Sequence, residues 1–192
     1  MSKITLADVT TAKILGHLIG DGGVSPIFNK MYFTNSNIKL IKEYCSFLKR
    51  RNIPFSLIKQ ENYIIVVTYR KKYVLEFLNY GGCKSKDKYV PPSVINSTKK
   101  IKIAVLDSLL KDEGRRVSVN RIQFATTKKK FMDSFIQLLK SLKIKIKRSY
   151  TYKRENFTQY IITISREDLK KYGINYWDKM PVPKAKNSLL AV

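Results

Sequence analysis

Hydrophobic spacing along the chain switches back and forth between the two periods of regular structure. Apolar residues recur at helical intervals over about 8–21, 37–51 and 71–79, and again over about 98–113, 128–142 and 166–172. Between these stretches, β-branched and aromatic residues alternate with polar ones over about 24–35 and 54–69, then over about 116–126 and 145–165. Each of those runs is long enough for a strand pair. The succession helix, strand pair, helix, strand pair, short helix therefore occurs twice, and each pass reads as an αββαββα unit of α+β class with antiparallel strands. Alternation also assigns faces. Met31 and Phe33 point to a core while Lys30, Tyr32 and Thr34 point away; Ile122 and Phe124 oppose Arg121 and Gln123; Ile144 and Ile146 oppose Lys145 and Lys147.

The two passes are related in sequence as well. Ala12-Lys-Ile-Leu-Gly16-His-Leu-Ile-Gly20-Asp21-Gly22 aligns with Ala104-Val-Leu-Asp-Ser108-Leu-Leu-Lys-Asp112-Glu113-Gly114 at an offset of 92 residues. Downstream, Phe33 to Ser36 matches Phe124 to Thr127, and Leu40, Tyr44, Phe47 and Leu48 match Phe131, Phe135, Leu138 and Leu139, at an offset of 91. Tyr63-Ile-Ile-Val-Val-Thr68 resembles Tyr160-Ile-Ile-Thr-Ile-Ser165. Matched blocks in the same order indicate an internal duplication. The expected organisation is an N-terminal half over 1–80, a linker over 81–97 marked by Gly81-Gly82 and Pro91-Pro92, and a C-terminal half over 98–192.

Charge narrows the partner. The 192 residues carry 38 Lys and Arg against 14 Asp and Glu, a formal net charge of +24 spread over every segment rather than one tail. That distribution implies a polyanion whose counterions are released on binding. No run approaches the ~20 apolar residues of a spanning helix, and the first residues lack the layout of a signal peptide, so nucleic acid is expected rather than a membrane. Cys45 and Cys83 are the only cysteines and His17 the only histidine, which excludes a disulfide framework and a Cys/His zinc site. Such cysteine usage suggests an intracellular setting, the cytoplasm of a prokaryote or an organelle. His17 lies in an apolar helical pattern and is expected to pack there, hydrogen-bonded, leaving carboxylates, lysines and metal for any chemistry.

Two features of the first helix of each half point to that chemistry. Ala12, Gly16 and Gly20 stand four apart, as do Ala104, Ser108 and Asp112, the last breaking the small-residue stripe. A glycine inside a helix costs ~1 kcal/mol relative to alanine, a cost that close approach of two helix backbones offsets. Asp21 and Glu113 occupy the last turns, where the helix dipole disfavours acids. Gly22 and Gly114 follow, expected in the positive-φ position that terminates a helix. Helices paired along the stripes bring two carboxylates and free carbonyls such as that of Gly20 together, a donor set for a hard divalent cation, Mg²⁺ or Mn²⁺. In a basic protein, such a pair suits phosphodiester hydrolysis.

Leu15-Gly-His-Leu-Ile-Gly-Asp21-Gly22-Gly23 and Leu106-Asp-Ser-Leu-Leu-Lys-Asp-Glu113-Gly114 resemble the two motifs of a monomeric LAGLIDADG homing endonuclease of the archaeal intron-encoded type, and the likeness spans nearly the whole chain. The resemblance implies a monomer with internal pseudo-twofold symmetry, its motif helices at the interface and each antiparallel sheet forming half of a DNA-binding saddle. It implies Asp21 and Glu113 as the catalytic, metal-binding acids, with Gly20 and Asp112 as adjoining candidate ligands. The second motif departs from the pattern at Ser108 and Asp112; register with Gly114 favours Glu113 over Asp112 as the ligand. The reaction implied is metal-dependent cleavage of both strands of a long double-stranded DNA target across the minor groove, leaving short 3′ overhangs. Family members often place a Lys or Gln near the metals from a strand end. Of Asn35, Ser36, Thr126, Thr127 and Lys128 in that region only Lys128 is basic, which makes it the auxiliary catalytic candidate.

Candidate DNA contacts are Lys30, Tyr32, Thr34, Asn35, Arg70, Arg116, Ser118, Arg121, Gln123, Lys145, Lys147 and Arg154. Exposed Arg and Gln suit base edges in the major groove, and most lysines suit phosphate. The degenerate second motif keeps two alternatives open, an intron RNA maturase and a non-catalytic nucleic-acid-binding protein on the same scaffold.

Overall fold

Helix α1 (Val9–Ile19) begins at Asp8, whose carboxylate accepts a hydrogen bond from the Thr11 N–H at 2.8 Å and so satisfies one orphan donor of the first turn. The structure, a computed structural model, describes residue 6, residues 8–84 and residues 86–175; the expected C-terminal half beyond residue 175 lies outside them. After α1 come β1 (Gly22–Ser25), β2 (Lys30–Asn35) and α2 (Ile38–Arg50), then β3 (Ser56–Lys59), β4 (Ile64–Thr68) and α3 (Lys71–Tyr80). The segment between the halves holds β5 (Cys83–Lys84), β6 (Asp87–Lys88) and the short α4 (Pro92–Ile95). The second pass supplies α5 (Lys99–Glu113), β7 (Gly114–Ser118), β8 (Arg121–Thr126), α6 (Lys129–Ser141), β9 (Ile146–Arg154), β10 (Phe157–Ser165) and α7 (Arg166–Lys170).

Among the described residues two sheets form, with strand orders β3-β4-β2-β1-β5-β6 and β7-β8-β10-β9. Every ladder among the described residues is antiparallel except β1 with β5, which pair in parallel at Val24 and Lys84. The segment expected as a linker is therefore part of the first sheet. Its apolar residues decide this, because Cys83, Val90 and Val94 are buried in the common core.

Between the sheets' inner faces, α1 packs directly on α5 along the two small-residue stripes. A Cβ added at Gly16 would stand 2.6 Å from the Ser108 Cβ and 2.9 Å from the Val105 carbonyl oxygen; one at Gly20 would stand 2.5 Å from Asp112 Oδ2. The contact along the stripes matches the sequence expectation.

The duplication also extends to backbone detail. Asn52 and Lys143, 91 residues apart, both take positive φ (52° and 57°) just beyond α2 and α6. In each case the following N–H returns into the helix, Ile53 to Leu48 O at 2.9 Å and Ile144 to Leu139 O at 3.0 Å.

Two expectations need correction. Gly22 and Gly114 do not adopt positive φ: Gly114 lies at φ −81°, ψ 138°, and the positive-φ glycines among the described residues are Gly81, Gly82 and Gly173. The chain passes from α5 directly, and from α1 through Gly20 and Asp21, into a strand without a left-handed turn. Gly22 is required for space instead, since a Cβ there would meet Tyr32 O at 2.6 Å and His17 O at 2.9 Å.

The second correction concerns the match of Tyr63–Thr68 to Tyr160–Ser165, which is off by one. Val66 pairs with Phe33 and Ile162 with Phe124, so Val66 rather than Ile65 is the counterpart of Ile162. Similar runs align by residue type, but burial of one face sets the parity, and a single-residue slip exchanges the faces.

Candidate metal centre and nucleic-acid interface

Asp21 stands between the end of α1 and the start of β1, and Glu113 ends α5 where β7 begins. Because the two helices pack along their stripes, both acids arrive at one place. Burial, and next the neighbouring Asp112, push the Asp21 carboxyl up to about 6, against the opposing effects of Lys88 and the Asn35 amide. Burial and the charge of Asp21 raise Glu113 as well. Both shifts mark carboxylates held together with too little water or positive charge around them.

Asn35 and Lys88 answer that deficit, and neither role was read from sequence. The Asn35 side-chain amide donates to Asp21 Oδ2 at 2.7 Å, while its own oxygen accepts from the Asn37 N–H at 2.7 Å. Expected in the strand-end region near the metals and as a DNA contact, Asn35 lies in that region and orients the first acid. Its counterpart Thr126 accepts from the Lys128 N–H at 3.2 Å in the same way, but has no amide to offer Glu113. Lys88, on β6, donates its ammonium to the carbonyl oxygen of Gly20. Burial lowers its pKa, and the charges of Glu113, Asp21 and Asp112 act in the opposite direction. Lys88, and not Lys128, is thus the basic group in the field of the acids; Lys128 is exposed at the start of α6.

Asp112 is turned away from any solvent-facing role. Its side chain is fully covered, with both carboxyl oxygens 3.0 Å from His17 Nδ1 and a long contact of 3.5 Å from the Asp21 N–H. Burial drives His17 down to about 4 and Asp112 well up, each toward its neutral form. His17 packs as expected, its ring centroid 4.9 Å from Phe33 and 5.7 Å from Tyr44. Its Nε2, however, has no hydrogen-bond partner among the described residues.

No group of three or more His, Cys, Asp or Glu side chains among the described residues forms a complete metal shell. Asp21, Glu113 and the Gly20 carbonyl are nonetheless all hard oxygen donors, and a cation already rests on that carbonyl in the form of the Lys88 ammonium. The donor chemistry fits a divalent ion such as Mg²⁺ or Mn²⁺.

The open sheet faces carry the remaining candidates. On β2, Lys30, Tyr32 and Thr34 oppose the buried Met31 and Phe33 as expected, and the Lys30 ammonium lies 5.4 Å from the ring centroids of both Phe28 and Tyr32. Arg70 is exposed but lies outside the strand, at the start of α3. In the second sheet, Arg121 and Gln123 oppose Ile122 and Phe124, and Ser118 pairs with Arg121. Arg116 does not join them. It pairs with Ile122 on the inward face, is 9% exposed, and its Nε points to the Ser118 carbonyl at 3.4 Å; the exposed Arg115 pairs with Gln123 instead.

On β9 the expected alternation through Lys145 and Lys147 is interrupted. Lys145 precedes the strand, and Lys147 falls in a bulge between the Ile146–Ile164 and Arg148–Thr163 pairs. Beyond the bulge Arg148, Tyr150, Tyr152 and Arg154 line the open face, with Arg154 Nε 2.9 Å from the Tyr152 hydroxyl and Gln123 Nε2 3.3 Å from that of Tyr150. Arg154 was among the candidates read from sequence, and period-two spacing back from it was the signal that could have found Tyr152, Tyr150 and Arg148.

No protein-family model matches this chain, and no curated protein matches it. Among solved structures, the homing endonuclease I-DmoI in complex with DNA and Ca superposes with a TM-score of 0.68 at 18% identity, covering 91% of this chain and 93% of I-DmoI. The homing endonuclease I-WcaI bound to its DNA recognition sequence gives 0.63 at 16% identity, over 90% of this chain and 86% of I-WcaI. The N-terminal LAGLIDADG domain of WhiA gives 0.56 at 13% identity, over 85% and 80%. Two pseudo-symmetric halves, paired motif helices and flanking antiparallel sheets give this chain the fold of the LAGLIDADG homing endonucleases.

Proposed function

We propose that this chain is a site-specific endonuclease that hydrolyses both strands of double-stranded DNA with a divalent metal, Mg²⁺ or Mn²⁺. The observation that carries this reading is the convergence of Asp21 and Glu113, each partly desolvated and each perturbed by a neighbouring acid, where two packed helices open into two basic sheets. Asp21, Glu113 and the Gly20 carbonyl would hold the metal. Bound there, it would activate water and stabilise charge on the attacking and leaving oxygens of the phosphodiester. Asn35 fixes the Asp21 carboxylate by its 2.7 Å hydrogen bond. Asp112 is assigned to His17 and the helix interface, not to the metal.

Arg115, Arg121, Gln123, Arg148 and Arg154 are suited to base edges, and lysines such as Lys30 to phosphate. Two sheets each covering one helical turn of ~10–10.5 bp span a target of roughly 20 bp. Cleavage across the minor groove between them would leave short 3′ overhangs. The I-DmoI structures with DNA and metal and the I-WcaI complex with its recognition sequence support this reading.

Incubation with Mg²⁺ and a DNA library randomised over the target length is expected to yield one preferred double-strand cut. Asp21→Asn and Glu113→Gln should each abolish cutting while duplex affinity survives. Sequence-selective binding with no strand cut under Mg²⁺ or Mn²⁺ refutes the nuclease. That outcome favours the second reading, a DNA- or intron-RNA-binding protein on this scaffold, for which the observation is the Lys88 ammonium on the Gly20 carbonyl. Preference for folded intron RNA over duplex DNA would identify its maturase form.

A further inference from the structure

Of the lysines in and between β5 and β6, Lys84 and Lys86 are exposed, whereas Lys88 is turned inward. Its backbone is fixed by the first sheet: Lys88 pairs with Cys83, and β5 in turn pairs with β1, the strand that starts directly after Asp21. The side chain reaches from this edge to the Gly20 carbonyl oxygen, and its charge acts on Glu113, Asp21 and Asp112 together. A lysine near a helix C-terminus is stabilised by the free carbonyls alone. One that also enters the field of three carboxyls occupies the place where a cation bound by that carbonyl and the flanking acids would lie.

We propose that Lys88 is a built-in cation of the acid site, holding the seat beside the Gly20 carbonyl and competing with a divalent metal for it. The proposal rests on the metal-binding reading of Asp21 and Glu113. Without metal, the ammonium balances two partly buried carboxylates and keeps the ends of α1 and α5 together. Metal entry at the Gly20 carbonyl requires the ammonium to withdraw, because two cations cannot share one oxygen-lined seat without strong repulsion. Lys88 therefore sets the metal concentration at which the site fills, and it does so from a segment that also adds two strands to the first sheet.

The test uses the full chain without DNA and Mn²⁺ alone as the probe, followed by calorimetric titration and by the rise in Tm on Mn²⁺ addition. Lys88→Met keeps the length of the side chain and removes its charge; Lys88→Arg keeps the charge. Lys88→Met should bind Mn²⁺ about tenfold or more tightly than the wild type, within the roughly 5- to 150-fold range of coupled ligands, and show the larger Tm rise. Lys88→Arg should bind no more tightly than the wild type. Circular dichroism checks each fold, and Lys88→Gln serves where Lys88→Met does not fold.

Wild-type binding that depends on Asp21 and Glu113, with equal or weaker binding by the uncharged Lys88 variants, overturns the competition while leaving the metal site intact. A purely structural lysine would give that result, since its loss can only loosen the site. Absence of Mn²⁺ binding by both the wild type and the uncharged variants removes the metal reading itself, and the proposal with it.

Discussion

Replacement of Gly16 by alanine sets two opposing effects against each other. Helix propensity alone favours the substitution by ~1 kcal/mol. Against this, the new Cβ would lie 2.6 Å from the Ser108 Cβ and 2.9 Å from the Val105 carbonyl oxygen, where ordinary contact begins at 3.4 Å. Neither atom can rotate away, because a Cβ and a helix carbonyl are both fixed by the backbone, so α5 as a whole must retreat. Overpacking of a tight core contact costs ~1–3 kcal/mol, which leaves Gly16→Ala less stable by up to about 2 kcal/mol after the propensity gain. Urea denaturation followed by far-ultraviolet circular dichroism measures this, with an unchanged m-value marking a shift in stability alone.

Ser108→Gly removes the opposing Cβ and, with it, a buried hydroxyl that has no partner among the described residues. Combined with Gly16→Ala it should recover about 1 kcal/mol or more beyond additivity, as expected for residues in contact. A retreat of α5 also draws Glu113 from Asp21, so cleavage should fall further than duplex binding. A Gly16→Ala protein more stable than the wild type would show that propensity alone acts and that the helices do not meet at the stripe.

Other expectations follow from single positions. Lys143 occupies a left-handed conformation at φ 57°, where its counterpart is Asn52; Lys143→Asn should raise stability by about 0.5–1 kcal/mol, measured by the urea midpoint, because asparagine tolerates this region better. No gain would mean that the repeat does not extend to that turn. Arg115→Ala should weaken specific DNA binding by about 1–3 kcal/mol with little change in Tm, as for loss of a base contact. Arg116→Ala should chiefly lower Tm, because its side chain is 9% exposed on the inward face. Reversed phenotypes would invalidate the register assigned to β7.

The duplication was legible because it repeats at a near-constant spacing, and physical constraints keep that spacing visible. Stripes of small residues at Ala12, Gly16 and Gly20 and at Ala104 and Ser108 persist wherever two backbones meet closely, and the structure brings them into contact. Less was legible in the strands. The match of Tyr63 to Tyr160 was one residue out, because β-branched runs look alike in either register until one face is buried. Arg116 was placed with the exposed residues where Arg115 belongs, since two adjacent arginines give no period to read.

Sequence by itself determined the α+β order, the twofold repeat, the pairing of the first helix of each half and the arrival of Asp21 and Glu113 at their ends. All of these depend on local periodicity and on residue size along one helix face. Only the tertiary structure decided the surroundings of the acids. Lys88 lies 67 residues beyond Asp21, in a stretch whose glycines and prolines mark it as a connector, and it reaches the site because β5 adds to β1. Asp112 looked like a second ligand beside Glu113, yet successive residues on a helix point about 100° apart, and this turn directs Asp112 onto His17 across the helix interface. Which charge meets which carboxylate is a property of distances across the fold, and no local pattern in the chain encodes it.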